Sequence, residues 1–188
     1  MKQPTLLILL WISATLFAQN PCEYSANITD SIGTYKSTKD FMIYENNFAG
    51  HSKYIFFTLV STNGTPTLSI NIIQKSKDFL KANCFDKNSK LFLQLNNGKI
   101  ITLLLLEQES CGTMIRDDKG FDNRILTGSF MFIKGSIAAL KSSHVNMIRI
   151  KYATEMEDYV MKKEFKSELN NQIYEPETYF MNNLHCIE

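Results

Sequence analysis

Apolar and polar positions alternate along the middle of the chain on either side of an Asn-Gly dipeptide. Lys53 to Thr62 and Thr65 to Lys75 flank Asn63-Gly64. Asn-Gly supplies the two positive φ angles of a two-residue type I′ turn, so this segment predicts a β-hairpin. The turn sets Leu59 opposite Leu68, Phe57 opposite Ile70 and Ile55 opposite Ile72 on one face. Thr58 with Ser69 and Phe56 with Asn71 fall on the other. A slip of one residue would carry Ser69 or Asn71 into the core, so the alternation itself holds the register. Pro66 falls at a non-hydrogen-bonded site, where its missing N–H costs the ladder nothing.

A second hairpin is predicted where Lys90 to Asn96 and Lys99 to Leu106 flank Asn97-Gly98. The same two-residue turn sets Leu95 opposite Ile100 and Leu91 opposite Leu104. Ile100 to Leu106 is almost wholly apolar, the pattern of a strand covered on both faces. Carried outward, this register sets Cys84 opposite Cys111, at a separation that a disulfide bridges. The turn-like run Phe85 to Ser89 stands against an unbroken ladder over that distance.

Residues 19–37 read as an irregular polar lead-in, and the first strand is expected near Asp40 to Glu45. Arg124 to Lys134 reads as a strand. Ser136 is placed to cap a short helix from Ile137 to Ser142, with Ile137 and Leu140 on one face. Val145 to Tyr152 alternates as a half-buried strand, and Tyr159 to Phe165 fits either a last strand or the start of a helix through Leu169. Pro176 suits the first turn of a C-terminal helix, along which Phe180, Leu184 and Ile187 form an apolar stripe. These elements predict a mainly antiparallel β domain, a sandwich or strongly curved sheet. A short helix near 136–142 and a C-terminal helix near 176–187 complete it.

The first residues change the setting. Met1 to Ala18 has one positive charge at Lys2, an apolar run from Leu6 to Phe17 and a small residue before Gln19-Asn20-Pro21. That is the pattern of a cleaved secretory signal, and the run is shorter than the roughly 20 residues of a membrane-spanning helix. No membrane span is expected after cleavage. Gln19, Asn20 and Pro21 separate Ala18 from Cys22, which argues against a lipoprotein cut. A periplasmic or secreted product is expected, with one β-rich domain over 38–188.

Composition supports one folded domain, since 44% apolar residues provide a core and 21% charged residues keep the surface wet. Lys2 is the only charge in the leader, so the mature chain is formally neutral. Its basic and acidic residues are interleaved, which argues against nucleic acid and anionic membranes as partners. Export makes pairing the default fate of the four cysteines. With Cys84 joined to Cys111, Cys22 is left to join Cys186 and tie the two ends together. Each bridge contributes about 2 to 4 kcal/mol.

Candidate chemistry is sparse. His51, His144 and His185 show no metal-ligand spacing. His185 would tune its neighbour Cys186 only if that thiol were free. Asp117, Asp118, Asp122 and Asn123 surround Gly120, an oxygen-rich set that suits calcium but lacks EF-hand spacing; it reads as a solvated turn. Glu107 and Glu109 are a possible glycosidase pair, and more simply the wet face of a strand end. There is no phosphate-binding glycine loop, no Gly-x-Ser-x-Gly elbow and no Cys-x-x-Cys pair. No cofactor and no metal is expected. Two glycosylation sequons, Asn27-Ile28-Thr29 and Asn63-Gly64-Thr65, carry no weight in an Asn-, Lys- and Ile-rich chain of bacterial character.

Several segments together resemble uncharacterised exported proteins of Bacteroidota-like Gram-negative bacteria. They are Phe17-Ala18-Gln19, the run Cys84 to Lys90 leading into Asn97-Gly98-Lys99, Met147-Ile148-Arg149-Ile150, and Phe180 to Cys186. The resemblance covers most of residues 80 to 188 and implies export and a β-rich fold, without an activity or site residues. The expected function is a non-catalytic envelope module, binding or structural, whose partner is a protein, a glycan or a small ligand. The competing expectation is a small hydrolase assembled from distant residues, with His51, Asp117 and Glu109 as candidates. A third is a secretion-system accessory, which a large flat apolar patch would mark.

Overall fold

The computed structural model describes residues 21–106 and 109–188; the leader read over Met1 to Ala18, and Glu107, lie outside them. Among the described residues, eleven strands form one antiparallel sheet. They are β1 (Tyr24–Thr29), β2 (Thr34–Thr38), β3 (Phe41–Phe48), β4 (His51–Thr62), β5 (Thr65–Ser76), β6 (Lys90–Leu95), β7 (Ile100–Leu105), β8 (Thr113–Arg116), β9 (Asp122–Phe132), β10 (Val145–Lys151) and β11 (Met156–Val160). Their order is β1-β2-β4-β5-β9-β7-β6-β10-β11. β2 and β3 lie end to end along one edge of β4, as β7 and β8 do along one edge of β9. The sheet is open and strongly curved, so that side chains of β11 reach those of β3 and β4. The rings of Tyr44 and Tyr159 meet at 4.9 Å.

The first Asn-Gly hairpin has the register that the alternation dictates. Leu59 pairs Leu68, Phe57 pairs Ile70 and Ile55 pairs Ile72, and Asn63 and Gly64 both have positive φ, 50° and 77°. The second hairpin departs from expectation by one residue. Leu91 pairs Leu103 and Leu93 pairs Ile101, so Ile100 faces Gln94 and Leu104 faces Lys90. Its loop has three residues, Asn96-Asn97-Gly98, with only Gly98 at positive φ (83°). Leu95 N–H donates to Lys99 O and Gly98 N–H to Leu95 O. This is a type I turn followed by a left-handed glycine, the usual three-residue solution. Ile100 and Leu104 are therefore exposed, at 61% and 37%.

Both cysteine pairs are joined, Cys84 to Cys111 and Cys22 to Cys186. The first does not sit on the hairpin ladder. An isolated bridge between Phe85 and Ser110, with both backbone hydrogen bonds, brings Cys84 and Cys111 to 4.0 Å between Cα atoms.

Other corrections are local. The expected irregular lead-in over 19–37 contains β1 and most of β2, a hairpin whose turn is closed by the Asp30 carboxylate accepting from Ile32 and Gly33 N–H. Its strands lack an apolar alternation, because β2 is held by backbone pairing to the free edge of β4. Gly33 is required there: a Cβ would lie 1.9 Å from Asn63 Oδ1, the atom that accepts from Thr34 N–H. Ser136 does not cap its helix. It is the first residue of α1 (Ser136–Ser142), behind Gly135, and its buried hydroxyl makes no cap bond. Tyr159 resolves as strand, paired with Ile148. Beyond it, β12 (Phe165–Lys166) and β13 (Ile173–Tyr174) form a small separate hairpin.

The inner face of the curved sheet carries the main core. Ile55, Phe57, Leu59, Leu68 and Ile70 meet Leu91, Leu93, Leu103, Ile148 and Ile150 there. The C-terminal segment covers it as a 3₁₀ turn at Pro176–Thr178, α2 (Tyr179–Asn183) and a second 3₁₀ turn at Leu184–Ile187. Phe180, Leu184 and Ile187 are buried on that core as the apolar stripe requires. On the outer face, Met42, Tyr54 and Tyr174 form a second small cluster with Phe165, beneath β12 and β13.

Candidate functional site

A cleft of about 540 Å³ opens at the mouth of the curved sheet, between the β3–β4 end and β11. Directly opposed strand residues share a face, so the pairs Tyr44–Ile55, Asn46–Lys53 and Phe48–His51 aim one set of side chains inward. Gln74, opposite Lys53 on β5, joins them. Glu157 and Tyr159 enter from β11, and Leu80 from the segment after β5.

The floor is a hydrogen-bonded network. Lys53 Nζ donates to Glu157 Oε2 at 2.9 Å and to the Tyr159 hydroxyl at 3.3 Å. The Tyr159 hydroxyl donates to the same carboxylate oxygen. Asn83 Nδ2 donates to Glu157 Oε1 at 3.4 Å, and the hydroxyls of Tyr152 and Tyr159 are 3.5 Å apart. Burial pushes the Glu157 carboxyl up, but hydrogen bonds from Tyr159 and Lys53 and the ammonium charge outweigh it, and the group is held below the usual range. Burial pushes both phenols well above theirs. Near neutral pH the floor is therefore a fixed carboxylate paired with Lys53 and two neutral phenols.

Glu157 stays ionised and both its oxygens are occupied, so it is no general acid. The rim differs: the side-chain amides of Asn46 and Gln74 and the hydroxyl of Ser52 make no hydrogen bond among the described residues. Unspent amide donors and acceptors beside the rings of Tyr44 and Phe48 suit an uncharged ligand with hydroxyl groups.

The sequence-level candidates are dispersed. His51 does line the cleft, where its Nε2 lies 3.4 Å from Asp78 Oδ2, both groups well exposed. The carboxylate it meets is thus neither Asp117 nor Glu109. His144 lies 4.0 Å from Glu177. The Nε2 of His185 stands 3.2 Å from Cys22 Sγ and 3.6 Å from Cys186 Sγ. These three groups cluster as metal ligands would, but the two sulfurs are bonded to each other and offer no thiolate. Asp117 Oδ2 accepts from Lys75 Nζ at 2.7 Å, while its Oδ1 closes the 117–121 turn on Lys119 and Phe121 N–H. The Lys75 hydrogen bond holds Asp117 far below the ordinary carboxylate range. Asp122 is paired with the Arg116 guanidinium at 2.8 and 2.9 Å. Within the oxygen-rich loop, Asp117 and Asp122 are spent on cations already in the chain.

Lys53, Glu157, Tyr159, Asn83 and Asp78 were not evident as site residues from the sequence. One signal was present. Lys53 shares the strand parity of Ile55, Phe57 and Leu59, so an ionisable residue stands in the inward-facing row.

No family model, curated protein or solved structure matches the chain. Fold and cleft alone define the class: a mainly antiparallel β protein, crosslinked by two disulfides, with a polar cleft at the mouth of one open curved sheet. Among the described residues, no helix is long and apolar enough to cross a membrane.

Proposed function

We propose that the protein is an exported, non-catalytic binding module of the cell envelope, and that the mouth cleft holds an uncharged, hydroxyl-bearing ligand of the glycan class. One observation carries this reading: a charge-compensated floor, its carboxylate, ammonium and phenol hydrogen-bonded to one another, lies beneath two unspent amides. Such a floor attracts neither cations nor anions, and it sets orientation through fixed dipoles. The leader pattern and the two disulfides support export to a periplasmic or extracellular location.

The test uses the oxidised mature chain with cellobiose, maltose and N,N′-diacetylchitobiose as probes. Binding is read from the side-chain amide resonances of Asn46 and Gln74, and product formation from the probe's own spectrum. At least one disaccharide is expected to bind unchanged, and Tyr44→Ala to weaken it about tenfold by removing a ring contact. No shift with any probe, or a shift untouched by Tyr44→Ala, defeats the reading. Cleavage of a probe replaces it with a hydrolase whose rim carries His51 and Asp78.

A further inference from the structure

The rim of the mouth cleft borders a second space. A second groove of about 640 Å³ runs along the outer face of the same strands and shares Phe48, His51 and Ser52 with the mouth. The β3–β4 tip, Phe48 to His51, is thus the common wall of two spaces. Each alone is the size of a small-ligand site, and joined they exceed what a single sugar ring fills.

Their linings differ in kind. The mouth carries the unspent amides and a compensated ion pair. The outer groove is walled by Tyr54, Ile73, Leu169 and the ring of Phe121, and beyond the shared wall at His51 and Ser52 its polar side chains are engaged. Lys75 is paired with Asp117, the Tyr54 hydroxyl donates to Asn47, and the Asn123 amide donates into the 117–121 turn. Phe48, at 78% exposure, and Leu169, at 56%, stand in the groove as uncovered apolar surface.

From this adjacency of a polar and an apolar space on the two sides of one tip we infer that the ligand is an amphiphile that straddles it. Its uncharged hydroxylated head sits in the mouth, and its alkyl tail crosses Phe48 and lies along Tyr54, Ile73 and Leu169. An oligosaccharide would want amides in both spaces, and a peptide strand would want free backbone at a sheet edge. The outer groove offers fixed apolar side chains instead. This inference rests on the mouth as the head site, and the experiment separates the two.

Methyl, butyl, hexyl and octyl β-D-glucosides are titrated below their micelle concentrations into the oxidised mature chain, with binding read from the Asn46 side-chain amide. Affinity is expected to rise about two- to fourfold for each added methylene that the groove buries. Leu169→Ser flattens that slope, whereas Gln74→Ala lowers every member by a similar factor. Equal affinity for the methyl and octyl compounds overturns the tail site and leaves the mouth reading standing. Octanol binding as tightly as octyl glucoside overturns the joint site. If no glucoside and no disaccharide binds, the mouth reading itself fails. Phosphatidylcholine vesicles with and without a glucosyl diacylglycerol identify the source of the amphiphile: co-sedimentation only with the glycolipid means extraction from a bilayer, and binding of monomers alone means a free amphiphile. Both support the inference.

Discussion

The two Asn-Gly hairpins look alike in sequence and behave differently. In β4–β5 the polar residues Ser69 and Asn71 alternate with Leu68, Ile70 and Ile72, so only one register buries an apolar face. In β6–β7 the run Ile100 to Leu105 is apolar on both faces apart from Thr102, and either register buries leucines. Where the pattern is degenerate the loop decides, and a third loop residue moved every pair by one. Surroundings reinforce the contrast. Asn63 is held by Thr34 through a backbone bond of 2.8 Å and an amide bond of 2.8 Å, whereas Asn96 N–H is held by His144 O at 2.9 Å.

The sharpest way to break this comparison is to truncate the two leucines whose roles the register exchanges. Leu103 is fully buried, and Leu104 is the exposed one. Leu103→Ala is expected to cost about 2–5 kcal/mol, as a buried leucine does. Leu104→Ala, on the wet face, should cost under about 0.5 kcal/mol. Urea unfolding of both variants checks the order; a reversed order means that the two-residue turn holds in solution.

The same logic explains what else the sequence disclosed. The β-rich class, the first register and the apolar stripe of Phe180, Leu184 and Ile187 follow from local pattern, and both cysteine pairs are joined as expected although the second hairpin's ladder does not carry Cys84 to Cys111. The β1–β2 hairpin was hidden because its pairing is a property of the free edge of β4 and not of its own side chains. The mouth was hidden for a related reason. Lys53 and Glu157 are 104 residues apart, and only the curvature of the sheet brings β11 over β4. Nothing local in Glu157 or Asn83 announces that partner.

That ion pair gives a second, smaller test, because Lys53 belongs to the first hairpin and Glu157 to the strand beyond the second. Removing Lys53 leaves a half-buried carboxylate without its cation. Lys53→Met is expected to destabilise by about 1–3 kcal/mol near neutral pH. Glu157 binds a proton less readily folded than unfolded, since its folded pKa lies below the ordinary value of 4.5. Its contribution is therefore whole above pH 4.5 and is lost as pH falls through the lower folded value. Thermal unfolding from pH 6 down to pH 3 should show this loss in the wild type, and a shallower one in Glu157→Gln. Equal slopes would mean that the two halves of the sheet are not joined by this contact.

The smallest effect separates the turns themselves. Asn63 occupies left-handed φ and its Oδ1 accepts from Thr34 N–H, so Asn63→Ala loses both a tolerated conformation and a tertiary bond. Asn97 has negative φ, and its side chain only accepts from Lys99 N–H within the loop. Asn63→Ala is expected to cost about 2 kcal/mol and Asn97→Ala about 0.5 kcal/mol. Glycine divides the first loss into its parts: Asn63→Gly regains the φ and still lacks the bond to Thr34, and should recover about half. Full recovery would assign the whole cost to backbone conformation and reduce the Thr34 bond to a bystander. No recovery would assign it to the clamp from β2, and the first hairpin would then owe its turn to a neighbouring strand.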